Sequence, residues 1–350
     1  MGPSCRHTHS LFPVLALLAL ATVAPAADPG TPGTDLSDQK PGSLLVYNVY
    51  TSNPTNTILQ NTRISVTNTD DQRGVAVHLF FVDGESCAVA DAYICLSRNQ
   101  TTSLLASEVD PGVSGYAIAL AVNSSGLPIQ FDRLIGDEYV KFATGHAANL
   151  GAEAVAAPQS PLVTFPVAGA DDSAVTLLFD DVHYSRLPRV LAVDNIQSRS
   201  DGNDTLLIIN RIGGDMRSSA APIGKIFGLL FDELENGFSF SLSNLGCQVR
   251  RSLNNDFPRT APRFNSVLRA GMTGWMKFWA STTADDPIVG TTTMGLLGAA
   301  INYNPNTGLN ASLFNQGHNL HKLTRGGDVA LIIPVFPPSC AGAGDGRTGG

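Results

Sequence analysis

The sequence predicts an all-β chain, built as two tandem antiparallel β-sandwich domains of the immunoglobulin-like kind behind an export signal. Three observations predict it. Short segments alternate apolar and polar residues with period two. No long segment keeps the 3.6-residue period of an amphipathic helix: "HAANLGAEAVAA" comes nearest, but Gly151 interrupts it and Pro158 stops any continuation. Four segments of the first half recur in the same order in the second.

The chain opens with Arg6, His7 and His9, an apolar run from Leu11 to Val23, and the small-x-small site Ala24-Pro25-Ala26. Residues 1–26 therefore read as a secretory signal peptide cut after about Ala26, and 27–40 as a flexible N-terminus. A secreted or periplasmic protein is expected. It is expected to carry no transmembrane anchor, because no later segment approaches the roughly eighteen apolar residues a spanning helix needs. A net charge of −8 with no Lys/Arg cluster argues against nucleic acid as a partner.

Residues 41–150 read as the first sandwich. "TRISVTN" turns Ile64 and Val66 inward, whereas "VAVHLFFV" (Val75–Val82) and "YAIALAV" (Tyr116–Val122) are apolar on both faces, as central strands are. Asp83-Gly84, Asp110-Pro111-Gly112 and Ser125-Gly126 mark reversals. Residues 151–187, rich in Ala and Pro, read as a linker with an extra strand at "AVTLLF". Residues 188–340 read as a diverged second sandwich, in which "FSFSLS" turns Phe238, Phe240 and Leu242 inward and its serines outward; 341–350 is a flexible tail. The recurring segments are "PGSLLVYNV" with "PRVLAVDNI", "NTRISVTN" with "DTLLIINR", "HLFFVDGE" with "GLLFDELENG", and "GYAIALAV" with "GWMKFWAS".

Four cysteines come after the signal, Cys87, Cys95, Cys247 and Cys340, and an even number in an exported chain predicts two disulfides. Cys87 and Cys95 flank a short excursion after a strand, so they are expected to pair, leaving Cys247 with Cys340. "VHLFFVDGESC", "LIGDEYVK" and "GHAANLGAEA" resemble segments of an uncharacterised group of exported bacterial β-sandwich proteins. The resemblance lies mainly within residues 41–154. It implies export and a bacterial source and carries no activity.

Each candidate site has a plain structural role beside its chemical one. Asp137 and Glu138 are adjacent on a strand, so they point to opposite faces and do not form a catalytic pair. Gly145-His146 and Gly317-His318 end corresponding segments of the two halves and read as structural junctions. His318 and His321 would share a helix face as metal ligands, but on a loop that spacing means little. Among the acidic clusters, Asp201 and Asp204 in "DGND" are the candidates for Ca2+, against ordinary turn chemistry; no other cofactor is expected. Trp275 and Trp279 flank Lys277 on one strand face, where indoles either fill a core or stack on sugar rings. No nucleophile motif with workable spacing is present: "GVSG" lacks the serine-elbow pattern. The function expected is thus a non-catalytic binding or structural role at the bacterial cell exterior, with a cell-surface protein or a glycan as partner. The alternatives are a secreted polysaccharide hydrolase, whose carboxylates converge only in the fold, and a carbohydrate-binding module using the two tryptophans.

Overall fold

The computed structural model describes residues 36–159, 173–280, 294–304 and 315–339. The expected export signal, Cys340 and the C-terminal residues lie outside them. All described residues belong to one compact unit, and among them no helix is long and apolar enough to cross a membrane.

The first half forms β1 (Leu44–Thr51), β2 (Asn61–Asn68), β3 (Val75–Asp83), β4 (Val89–Leu96), β5 (Thr101–Leu105), the single turn α1 (Ala106–Val109), β6 (Ser114–Val122), β7 (Leu134–Lys141), β8 (Ala147–Gly151) and β9 (Glu153–Val155). Next come β10 (Ala174–Phe179), β11 (Pro188–Gln197), β12 (Asp204–Ile212), β13 (Gly214–Asp215), β14 (Ser219–Ala220), β15 (Gly224–Asp232), β16 (Gly237–Leu245) and β17 (Gln248–Ser252). The turn α2 (Phe264–Val267) precedes β18 (Thr273–Ala280), β19 (Gly295–Tyr303), β20 (Asn315–Asn319), β21 (His321–Arg325) and β22 (Val329–Pro334).

These strands make five sheets: sheet 1, β4-β3-β6-β1-β9; sheet 2, β5-β2-β7-β8; sheet 3, β10-β22-β13-β14; sheet 4, β16-β15-β18-β11-β21; and sheet 5, β17-β12-β19-β20. The expectation of two tandem immunoglobulin-like sandwiches is thereby corrected. The chain is all-β, but its sheets stand as the blades of a five-bladed β-propeller. The physical reason lies in the strands that are apolar on both faces. Leu79, Phe81 and Ala119 pack toward sheet 2, with Ile64 and Val66. Phe80, Val82, Tyr116, Ile118 and Leu120 point the other way, where Val175, Leu177, Leu331 and Ile333 of sheet 3 cover them. A sandwich of two sheets has no second cover to offer. Here it comes from β10, the extra strand at "AVTLLF" within the stretch expected to be a linker, paired along its length with β22 from the far end of the chain.

The recurring segments do occupy equivalent strands. Sheets 1 and 4 share one connectivity and sheets 2 and 5 another. β1 and β11 even interrupt their register at matching places, between Tyr47 and Tyr50 and between Val193 and Ile196. The repeat is one of sheet connectivity, and the two sets interlock. Val140, Ala148 and Leu150 of sheet 2 pack on Ile208, Ala299 and Ile301 of sheet 5. A run of amides crosses the same seam: Asn210 Nδ2 donates to the Asn48 side chain at 3.0 Å, Asn48 Nδ2 to Asn319 at 2.8 Å, and Gln248 Nε2 to Asn210 at 2.8 Å.

The expected cysteine pairing is also corrected. Cys87 is bonded to Cys247, 160 residues away, with their Cα atoms 5.5 Å apart. The excursion after β3 turns toward β17 rather than back to β4, so Cys87 meets the second half and not Cys95. Cys95 is itself disulfide-bonded.

Candidate functional site

Sheet 4 buries one face and leaves the other open. Ile226, Leu230, Met276 and Phe278 pack inward on Leu207, Ile209 and Leu296 of sheet 5. Period-two alternation then turns Phe227, Leu229 and Phe231 of β15, and Trp275, Lys277 and Trp279 of β18, outward together. Antiparallel register sets them in rows: Ser241, Phe227, Trp279 and Val190 in one, Ser239, Leu229, Lys277 and Ala192 in the next, and Phe231 with Trp275 in a third.

The aromatic rows are paired rings. Phe231 and Trp275 stack with centroids 4.6 Å apart and planes 11° from parallel, while Phe227 and Trp279 lie 5.3 Å apart at 56°. Between them the Lys277 ammonium sits 5.7 Å from the centre of the Phe231 ring and 6.0 Å from that of Trp275. Such exposed cation–π contacts contribute about 0.5–1 kcal/mol and hold the long side chain over the rings. Phe227 and Trp275 each keep 37% of their surface exposed. On the far side of Trp279 a groove of about 330 Å³ runs between Lys277, Val190, Leu323 and Thr324. The β16 edge supplies hydroxyls, because Phe240 turns inward over Gly228, where a Cβ would come within 2.2 Å of its ring, and Ser239 and Ser241 turn outward.

The matched residues of β6 explain why this face matters. Tyr116, Ile118 and Leu120 occupy the places of Trp275, Lys277 and Trp279, and they are fully buried under sheet 3. Among the described residues sheet 4 has no corresponding cover. Trp275 and Trp279 are legible in the sequence, whereas Phe227, Phe231 and the serine row carry no motif of their own. The signal for them is "KIFGLLFD", apolar on both faces, lying in the chain beside the serine-faced "FSFSLS".

The other candidates fall elsewhere. His146 is 2% exposed; its Nε2 donates to the Asn304 carbonyl at 2.7 Å, and Nδ1 lies 3.0 Å from the Thr144 hydroxyl. Gly145 turns the β7–β8 hairpin at φ 86°, and a side chain on Gly317 would press on Leu150 at 2.9 Å. His318 and His321 stand on neighbouring strands with Nε2 atoms 3.7 and 3.2 Å from Asp194, a residue that no sequence pattern marks. Burial lowers the His318 pKa below the ordinary imidazole value, against the pull of Asp194. Asp201 accepts the Gly271 amide at 2.8 Å, and Asp204 meets Arg199 at 3.5 Å and the Tyr303 hydroxyl at 3.1 Å. Both carboxylates are thus engaged by the protein. Among the described residues no three His, Cys, Asp or Glu side chains gather as a metal site.

No family model and no curated protein matches the chain. Two solved structures of a Pleurotus ostreatus lectin, the apo form and a complex with GalNAc, align at 9% identity over 81% of this chain and 84% of theirs. Their TM-score is 0.15, too low to bear on fold or ligand.

Proposed function

We propose that this chain is an exported, non-catalytic binding protein that holds carbohydrate on the open face of sheet 4. The observation that carries the reading is the pair of exposed aromatic rows, Phe231/Trp275 and Phe227/Trp279, set on a sheet whose strands fix their spacing. Sugar rings have apolar C–H faces that lie well on indoles, and their hydroxyls need partners at the ring edge. Ser239, Ser241 and Lys277 stand in the rows beside the aromatic side chains. The N-terminal signal and the Cys87–Cys247 bond support an oxidising exterior compartment. None of the groove residues Arg189, Val190, Lys277, Trp279, Leu323 and Thr324 is a carboxylic acid, so this groove does not supply the paired carboxylates of a glycoside hydrolase.

The two tryptophans of the sequence both lie on this face, so tryptophan emission, excited selectively, reports on it. A panel of neutral oligosaccharides titrated into the protein is expected to include ligands that shift tryptophan emission. Trp275→Ala and Trp279→Ala are each expected to weaken the binding by about tenfold, or 1.4 kcal/mol. Binding unchanged in both variants would sink the reading. A second reading, with another polypeptide seated on the face, is favoured by sheet 3 covering the equivalent face of sheet 1. It predicts a concentration-dependent dimer in sedimentation that Trp279→Ala disperses.

A further inference from the structure

Away from the Trp275/Trp279 face, at the end of β16, a cleft of about 680 Å³ opens where the β3–β4 turn meets the β16–β17 turn and β17. Its walls are backbone held from several sides. The Gly84 amide donates to Ser114 at 3.0 Å, the Gln248 amide donates to Gly84 at 3.1 Å, and the Cys87–Cys247 bond ties the turn to the strand. A side chain on Gly246 would meet the Gly84 carbonyl at 2.8 Å, so the two backbones touch directly. The cleft is formed before any ligand arrives.

Its side chains divide by charge. Asp83 and Glu85 line one wall, and Arg250 and Arg251 the other. Register pairs Arg250 with Ile208, whose side chain faces the first half, and Arg251 with Leu207, which faces sheet 4. Arg251 accordingly lies over the Phe257 ring at 5.6 Å, while Arg250 turns to the cleft. Among the described residues the Arg250 guanidinium has neither a hydrogen bond nor an ion pair, although carboxylates stand across the space. Opposite, Asp83 accepts the Glu85 amide at 3.0 Å and the Ser86 hydroxyl, and the Glu85 carboxylate makes no side-chain contact.

We propose that this cleft is a second ligand site, selective for a sugar that bears a carboxylate. A carboxylate matches the two-pronged guanidinium of Arg250. A ligand of anionic groups alone would be repelled by Asp83 and Glu85, whereas hydroxyls donate to them. The volume is in the range of small-molecule sites, about 300–1,000 Å³. This site does not depend on the sheet 4 reading.

The test is calorimetric titration of the full protein with trigalacturonate, neutral galactotriose and sodium sulfate. Trigalacturonate is expected to bind at least about tenfold more tightly than galactotriose or sulfate, without shifting tryptophan emission. Arg250→Gln is expected to weaken it by about tenfold or more, a loss of 1.4 kcal/mol or above. Arg250→Lys, which keeps the charge and loses the second prong, should fall between. Arg250 is exposed, so both variants should keep the wild-type melting temperature. Absence of trigalacturonate binding, equal affinity for the neutral trisaccharide, or full affinity in Arg250→Gln overturns the proposal. Sulfate binding as tightly as trigalacturonate reduces the site to a bare anion site and overturns it too.

Discussion

His146 joins two distant parts of the chain through one proton. Nε2 donates to Asn304, 158 residues on, and Nδ1 lies within hydrogen-bond distance of the Thr144 hydroxyl. His146→Ala is expected to lower unfolding free energy by about 1–2 kcal/mol in urea titration, the cost of the hydrogen bonds this buried imidazole makes, with glycan binding at sheet 4 unchanged. Glu138, fully buried, accepts the Val49 amide at 3.1 Å, and burial raises its pKa well above the ordinary carboxylate value. The folded state therefore holds this proton more tightly than the unfolded one. Between the two pKa values the native chain binds more protons, so stability falls as pH rises. The contribution is fully present below about pH 4.5, the unfolded value, and is lost on the way up to the folded one. Glu138→Gln should flatten this component: wild-type unfolding free energy relative to the variant should decline from pH 4 toward neutrality. A difference that grows with pH would contradict the assignment. At this scale the sequence shows that Asp137 and Glu138 face apart. It does not show Asp194 beside His318 and His321, because that contact joins three strands, one of them far from the others in the chain.

Among the elements, the β3–β4 turn departs furthest from its sequence-based expectation. Its residues read as a local excursion, yet its cysteine is bonded to Cys247 in the β16–β17 turn. Cys87 and Cys95 lie eight positions apart, and proximity in sequence favours pairing them. Disulfide partners are chosen by where the turn points, which depends on the twist and packing of sheets that no local pattern encodes. Chain entropy gives about 5 kcal/mol as an upper figure for closing a loop of 160 residues. Cys87→Ala with Cys247→Ala should lower the urea midpoint correspondingly and loosen the cleft beside it, seen as faster amide exchange at Gly84 and Gln248. Strand alternation, by contrast, is readable: "FSFSLS" sends Phe240 inward and Ser239 and Ser241 outward as its period requires.

Over the whole molecule, the ordered recurrence of segments corresponds to the repeated connectivity of sheets 1 and 4 and of sheets 2 and 5. What the pattern lacks is any sign of the seam. Sheet 3 draws on both the middle and the end of the chain, and the amides of Asn210, Gln248 and Asn319 pair with Asn48 across the halves. One cooperative transition in calorimetry is therefore expected, with no compact half surviving mild proteolysis. Two resolved transitions would show that the seam is weaker than its contacts indicate.

The same strand position is interior in one half and surface in the other, and tolerance to change should follow the cover rather than the sequence match. Ile118 lies beneath sheet 3, and its truncation to alanine should cost about 2–5 kcal/mol. Its counterpart Lys277 faces solvent, and the same truncation should leave the melting temperature nearly untouched. One duplicated scaffold thus gives the chain a stretch where substitution is punished beside a twin where it is free, and the free twin is where a new recognition surface can be rewritten without unfolding the rest.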